Sequence, residues 1–325
     1  MLMRGKELRI VFMGTPDFAV ASLKALVENG YNVAGVITAP DKPAGRGKKL
    51  TESAVKKYAV EKGLKVLQPE KLRDPVFLEE LKLLKPELQV VVAFRMLPEV
   101  VWSMPRLGTF NLHGSLLPHY RGAAPLNWAV INGETKTGVT TFMLEHQIDT
   151  GKILYQSEIK IGDNETVGDI HDRLMFVGAD LVLKTVDSIA KEKVRPVAQS
   201  ELVVDEKIKT APKIFKEDCK IDWTKDVQIV RNLIRGLSPY PSAWANLVHK
   251  ENGRTVPCKI FFAQRVFAEE TASPGSIDSD DETYMNVACG NGWLEITDLQ
   301  LSGKKRMNTA SFLRGFRNIF DYRFE

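Results

Sequence analysis

The stretch Leu8-Arg9-Ile10-Val11-Phe12-Met13-Gly14-Thr15-Pro16-Asp17 decides the architecture. Its apolar run is short and ends at Gly14, the pattern of a strand buried in a parallel sheet. Pro16 and Asp17 suit a turn and helix start, and Leu23, Leu26 and Val27 give helical spacing until Gly30 can end the helix. Working outward, residues 32–38 read as a strand, followed by a Pro/Gly/Lys loop and a helix near 53–62 with Thr51 or Glu52 near its start. Residues 66–67 form a brief strand, 75–84 a helix and 88–94 a central strand. Further strands are expected at 109–112, 139–144 and 153–159, with helices at 124–131, begun near Pro125, and at 167–190. Such alternation implies βαβ crossovers, a mostly parallel sheet with helices on both faces, and ligands beyond the carboxyl ends of the strands. The first turn lacks the second and third glycines of a dinucleotide fingerprint, and Pro16 removes a backbone donor, so NAD is rejected as the default cofactor.

With 325 residues, 44% hydrophobic and 26% charged, the chain is ordinary globular material and long enough for two domains of about 100–200 residues each. No run approaches the roughly 18 apolar residues of a membrane span, and residues 1–7 carry no signal-peptide apolar stretch. A cytoplasmic protein with no membrane partner is therefore expected. Cys219, Cys258 and Cys289 are widely spaced and odd in number, which suggests neither a disulfide framework nor a zinc site; no metal is expected. A net charge of +4 suits an anionic partner without requiring one. No sustained heptad or large apolar edge is visible, which favours a monomer.

The second half has a different texture. Residues 191–215 mix charges with Pro196 and Pro212 and read as a connector. After Trp223 a helical pattern runs to about Arg235 and stops at Gly236, and Ser238-Pro239-Tyr240-Pro241 forces an extended turn. Strand-like runs at 243–249, 258–266, 283–288 and 294–301, separated by Gly, Pro, Asn and Asp, suggest a small β-barrel of the kind that includes OB-folds. Residues 309–320 read as a closing helix.

Chemistry concentrates in residues 111–122, Asn-Leu-His-Gly-Ser-Leu-Leu-Pro-His-Tyr-Arg-Gly, directly after the strand at 109–112. Asn111 and His113 are two apart, so on a strand they point into one cleft. An amide can donate to a developing oxyanion, and an imidazole can accept or return a proton near neutrality; together they suit acyl transfer to an amine. Asp149, in Asp149-Thr150-Gly151, is the candidate that orients the imidazole or favours its protonated form. Each fragment alone is weak, because Asp-Thr-Gly is also good turn chemistry. An aspartic protease would need a second such carboxylate loop, and none is present. His119 and Tyr120 read as loop surface or binding wall, and His171 as a helix-surface or satisfied core residue.

Taken together, residues 111–122 and Asp149-Thr150-Gly151 closely resemble the folate-dependent formyltransferases, where the Asn, the His and the Asp form the catalytic set. The resemblance implies a Rossmann-like formyltransferase domain with a mostly parallel sheet, then a small OB-like barrel. It places Ser115, Leu116, Leu117 and Pro118 at 10-formyltetrahydrofolate, and implies direct formyl transfer to an amine without a covalent enzyme intermediate or metal. The basic loop Pro40-Asp41-Lys42-Pro43-Ala44-Gly45-Arg46-Gly47-Lys48-Lys49 looks like the one that members acting on methionyl initiator tRNA insert at the acceptor end. By that match Arg46 contacts the acceptor stem, with Lys42, Lys48 and Lys49 beside it.

Lys207, Lys209, Lys213 and Lys216, followed by Ile221-Asp222-Trp223, are similar to the linker of those members, and Gly303-Lys304-Lys305-Arg306-Met307 to a segment of their C-terminal domain. The expected division is a catalytic domain at 1–205, a basic linker at 206–220 and a tRNA-binding domain at 221–325, with Lys and Arg contacts to phosphate supplying salt-sensitive affinity. Two places depart from the family pattern: Phe94-Arg95, where Gly commonly follows the aromatic, and His146-Gln147-Ile148, where a small residue is commoner before Asp149. Both bear on the shape of the donor pocket. The rival expectations are formyl transfer to a small amine, such as a purine ribonucleotide or amino-sugar nucleotide, and a non-catalytic RNA-binding protein on this scaffold.

Overall fold

A computed structural model describes residues 5–44, 49–202, 207–266 and 272–325; Arg46 and Lys48 lie outside the described residues. The chain folds into two compact units, each assembled from three segments: Met1–Gly122, Thr137–Ile159 and His171–Thr210 in the first, and Ala123–Lys136, Lys160–Ile170 and Ala211–Glu325 in the second.

The elements follow the expected alternation. In chain order they are β1 (Ile10–Gly14), α1 (Asp17–Glu28), β2 (Val33–Ile37), β3 (Lys42–Ala44), β4 (Lys49–Thr51), α2 (Ala54–Glu61), β5 (Val66–Leu67), α3 (Pro75–Leu83), β6 (Leu88–Val92), α4 (Glu99–Trp102) and β7 (Thr109–His113). Then come β8 (Arg121–Gly122), α5 (Pro125–Ile131), β9 (Lys136–Met143), β10 (Ile153–Lys160), α6 (Val167–Ala190) and β11 (Thr210–Ala211). The main sheet has the order β10-β9-β7-β6-β1-β2-β5. Its five strands from β7 to β5 are parallel, and β9 runs antiparallel to β7. Every residue of β1 and β6 is buried, which is why these segments read as unbroken apolar runs.

Several boundaries shift for local physical reasons. The cap of α2 is Ser53, whose Oγ accepts from Lys56 N at 3.0 Å, rather than Thr51 or Glu52. The basic segment is framed by a hairpin and not a plain loop: Lys42 pairs with Thr51 and Pro43 with Leu50. β6 stops at Val92 because Ala93 turns to a left-handed φ of 46°, which ends the ladder.

The second unit carries α7 (Val227–Leu237), then β12 (Ala243–His249), β13 (Thr255–Val266), β14 (Ile277–Ser279), β15 (Met285–Cys289), β16 (Gly292–Leu301), β17 (Met307–Asn308), α8 (Thr309–Gly315) and β18 (Tyr322–Phe324). The strands order as β14-β15-β16-β13-β12-β18, and a bridge between Ser276 and Arg323 brings the first edge to the last, so the sheet closes almost into a barrel. Two expectations are corrected here. Gly236 lies inside α7 instead of stopping it; a Cβ there would sit 2.6 Å from Ile131 Cγ1, so glycine is what lets α7 approach α5. The tail is a helix only to Gly315, after which Asn318 turns left-handed and residues 322–324 become the barrel's last strand, burying Phe324 beside Trp223.

All three cysteines are free and buried, and burial pushes the thiols of Cys258 and Cys289 up to about 12. No helix among the described residues is long and apolar enough to cross a membrane.

Helix α7 begins at Asp226, whose carboxylate accepts from Gln228 N at 2.7 Å and from Asn291 Nδ2 at 2.6 Å. Those bonds, led by Gln228 N–H, hold the carboxyl below its ordinary range. Asp226→Ala is expected to lower stability by about 1–2 kcal/mol in denaturant unfolding. Because the folded pKa lies below the unfolded value of about 3.9, the charge-dependent part is full above that value and lost as pH falls through the folded one. The advantage of Asp226 over Asp226→Asn should therefore fade on acidification in the same measurement.

Candidate active site

Alternation along β7 sends Asn111 and His113 to the same face, and the register sets Thr140 of β9 opposite His113. His113 is buried, with its ring edge-on to Phe142. Its Nε2 lies 2.9 Å from the Tyr120 carbonyl oxygen, and a carbonyl only accepts, so Nε2 carries the proton in that bond. The remaining nitrogen, Nδ1, faces Asp149 Oδ2 at 4.0 Å. That separation is ion-pair range and too long for a hydrogen bond. The orienting bond on the imidazole thus comes from Tyr120 O, and Asp149 faces the other ring nitrogen.

Tyr120 is only 5% exposed and has a left-handed φ of 60°, with its carbonyl facing His113; of the two readings offered for it, loop surface is corrected. His119 is half-buried, with Nδ1 accepting from Lys209 N at 3.3 Å. Neither side-chain atom of Asn111 has a hydrogen-bond partner among the described residues, and its Oδ1 is fully buried. A buried amide left unpaired in a site beside an imidazole fits a polar ligand that would complete it.

The Asp149 loop is held by contacts that spacing alone does not disclose. Asp149 has a φ of 55°, and its Oδ2 accepts from Gly122 N at 3.0 Å. Gln199, from the connector, donates through Nε2 to Asp149 O at 2.8 Å and Gly151 O at 2.9 Å, and Arg121 in turn holds Gln199 Oε1. Gly151 has no alternative, since a Cβ would lie 1.7 Å from Met143 O.

Ser115 to Pro118 form a pinned loop. Thr140 Oγ1 donates to Ser115 O at 2.6 Å and accepts from Leu117 N at 3.1 Å and Gln156 Nε2 at 3.0 Å, which uses the whole capacity of a hydroxyl. Gln156 Nε2 also donates to Leu117 O at 2.8 Å. Ser115 Oγ donates to His119 O, and Leu117 is buried with Phe142 and Ile153. The side chains of Ser115 and Leu117 are thus committed to the protein, and this loop offers a ligand mainly its backbone and shape. Leu116 is half-buried against Gly138, and Pro118 follows a cis peptide bond. At the Phe94-Arg95 departure, Arg95 stacks over Phe94, donates to Glu70 O at 2.7 Å and also donates to Pro69 O, fastening the loop after β6 to the one after β5.

The basic residues are more scattered. Lys42, Lys207, Lys209, Lys304 and Lys305 are exposed; for Lys49 only the backbone position in β4 is described. Lys213 lies over the Phe215 ring, and Arg306 is engaged by Asp298 at 2.5 Å and stacked over Phe261 at 4.2 Å, so its charge is largely answered within the protein. Within the first unit Asn111, His113, Asp149 and residues 115–118 come together.

The chain belongs to the formyl transferase family. Residues 8–186 match the family model described as formyl transferase, and residues 213–317 match the formyl transferase C-terminal domain. The chain is 56% identical to a methionyl-tRNA formyltransferase of Bacteroides thetaiotaomicron over 97% of this chain and 98% of that protein. It is 58% identical to one from Parabacteroides distasonis, over 98% and 99%. The fold is also that of WlaRD, a sugar 3N-formyl transferase solved in the presence of dTDP and 5-N-formyl-THF, with a TM-score of 0.63 and 21% identity over 92% of this chain and 99% of that one. HypX from Aquifex aeolicus in complex with tetrahydrofolic acid gives a TM-score of 0.61 and 19% identity over 94% of this chain, which spans 47% of HypX.

Thr140→Val deletes a hydroxyl that three neighbours use and leaves the Leu117 N–H without its partner. It should cost about 1–3 kcal/mol in denaturant unfolding, whereas Thr140→Ser, which keeps the hydroxyl, should recover most of that loss.

Proposed function

We propose that the chain transfers the formyl group of 10-formyltetrahydrofolate to the α-amino group of methionyl initiator tRNA, supplying formylmethionyl-tRNA for translation initiation. The observation that carries this reading is identity above 50% to methionyl-tRNA formyltransferases along nearly the whole chain. Asn111 and His113 on one face of β7, with Asp149 4.0 Å from the buried His113, support it. The enzyme works in the cytoplasm as a monomer.

In the reaction the neutral amine attacks the formyl carbon, a new C–N bond forms and the bond from that carbon to the donor nitrogen breaks. Asn111, whose amide has no protein partner among the described residues, donates to the oxyanion that develops on the formyl oxygen. His113 moves a proton between the attacking amine and the departing nitrogen or stabilises the charge, held in orientation by Tyr120 O. Asp149, 4.0 Å from Nδ1, offsets positive charge that develops on the ring during transfer. Residues 115–118 cradle the donor, through their backbone and the shape that Thr140 and Gln156 maintain. No metal is required.

Residues 1–205 act as the catalytic domain, 206–220 as a basic linker and 221–325 as the tRNA-binding domain. Arg46 with Lys42, Lys48 and Lys49 addresses the acceptor end, while Lys207, Lys209, Lys213, Lys304 and Lys305 contact phosphates. Arg306, paired with Asp298, shapes the turn that presents Lys304 and Lys305.

The test incubates the protein with 10-formyltetrahydrofolate and either charged initiator tRNA, uncharged tRNA or an amino-sugar nucleotide, following folate release and amine formylation. Formylation confined to the charged tRNA is expected; formylation of the small amine alone would overturn the assignment. His113→Ala should cut turnover about 10²-fold or more with tRNA binding unchanged in a filter assay. Because only the neutral amine attacks, single-turnover rates should rise with pH through the pKa of the acceptor amine; a flat profile would count against direct attack.

A further inference from the structure

Within the first unit, three consecutive residues, Tyr120, Arg121 and Gly122, reach toward both His113 and Asp149. Tyr120 O accepts from His113 Nε2 at 2.9 Å, and Gly122 N donates to Asp149 Oδ2 at 3.0 Å. Arg121, between them, works through an intermediary: its Nε at 3.0 Å and Nη2 at 2.6 Å donate to Gln199 Oε1. Gln199 Nε2 then donates to Asp149 O at 2.8 Å and Gly151 O at 2.9 Å.

The chemistry of the groups fixes this arrangement. A guanidinium only donates, so the amide oxygen must face Arg121, and the amide nitrogen must face the two carbonyls, which only accept. Gln199 is 4% exposed, so any of these groups left unpaired would be costly. Arg121 has no carboxylate partner among the described residues; its guanidinium is spent on orienting this amide. Gln199 is brought into place by its own segment, because Val197 and Ile153 exchange backbone bonds of 2.8 and 2.9 Å just before the short 3-10 helix Gln199–Glu201. The Asp149 loop has reason to need such a clamp. Asp149 holds a φ of 55°, a left-handed conformation unfavourable for a residue with a Cβ. Residues 145–148, just before it, are all exposed, so burial there contributes little to holding it.

We infer that Arg121 and Gln199 are positioning residues for formyl transfer: together they hold the main chain at 149 and 151 so that the Asp149 carboxylate stays 4.0 Å from His113 Nδ1. This rests on the reading of Asp149 as the group that offsets charge developing on the His113 ring. Arg121 and Gln199 act through Asp149 and not on the formyl group. Released from Gln199, the loop relaxes and the carboxylate leaves its place beside the ring. Misplacing a group at the reacting centre by about 1 Å costs on the order of 10²-fold in rate.

Steady-state formylation of charged initiator tRNA by the full chain, with both substrates varied, tests this. Gln199→Glu keeps the shape and the Arg121 contact but turns an acceptor oxygen toward the two carbonyls. It should lower kcat about tenfold or more with both KM values within about threefold, since charge on the ring develops only in the transition state. Arg121→Met, at a half-buried position, should lower kcat as well, and Arg121→Lys, which keeps a donor for Gln199 Oε1, should recover most of that loss. In an Asp149→Asn background, Gln199→Glu should lower kcat by less than about twofold further, because the charge being positioned is already gone. The inference alone is overturned if Asp149→Asn lowers kcat while folded Gln199→Glu stays within about twofold of the parent, or if Gln199→Glu costs as much in the Asp149→Asn background as in the parent. Should Gln199→Glu fail to fold, the same limits apply to Arg121→Met. If Asp149→Asn leaves kcat unchanged, the reading of Asp149 falls and takes this inference with it.

Discussion

Burial of β1 and β6 on both faces is the constraint from which the rest of the first unit follows. A strand covered on both sides must pair with neighbours for its whole length, and its side chains leave no room for chemistry in mid-strand. Polar groups that do work are therefore driven to strand ends. β7, at the side of this core, ends in Asn111 and His113; its other neighbour β9 runs antiparallel and leaves the ladder beside Thr109, at the start of β7, so the loop between β9 and β10 reaches back to set Asp149 4.0 Å from His113.

Around that end the structure spends its side chains on fixing backbone. Thr140 and Gln156 hold residues 115–117, Gln199 holds 149 and 151, Tyr120 offers its carbonyl to His113, and Arg95 ties the loop after β6 to its neighbour. Bonds of this kind fix the backbone, because breaking one leaves another group without its partner. Asn111 stands apart from them as an amide with no partner among the described residues. One polar group left open among held neighbours is an arrangement that a bound polar ligand would complete.

The second unit follows a different logic. Its nearly closed antiparallel sheet brings one edge to the other through the Ser276–Arg323 bridge, and α7 packs close to α5 through Gly236. The same helix turns Arg231 and Arg235 into a cavity and leaves their charge only partly answered. Arg306, by contrast, is matched by Asp298 and Phe261. Equal formal charge thus carries different availability, a distinction visible only when partners are known.

Much of this was legible from the chain alone, because apolar periodicity and capping residues are local properties. The strand and helix alternation, the barrel strands, and the shared direction of Asn111 and His113 follow from the two-residue and 3.6-residue repeats of backbone geometry. The family likeness of residues 111–122 carried the choice of reaction. What remained hidden depends on contacts between residues distant in sequence: Gln199 acting 48 and 50 positions away, Tyr120 turned inward, the last strand at 322–324, and Gly236 serving helix packing instead of helix termination. Spacing along a chain specifies which face a side chain takes on its own element. Which atom meets it from another element, and whether a charge arrives there paired or bare, is decided only once the tertiary structure closes around it.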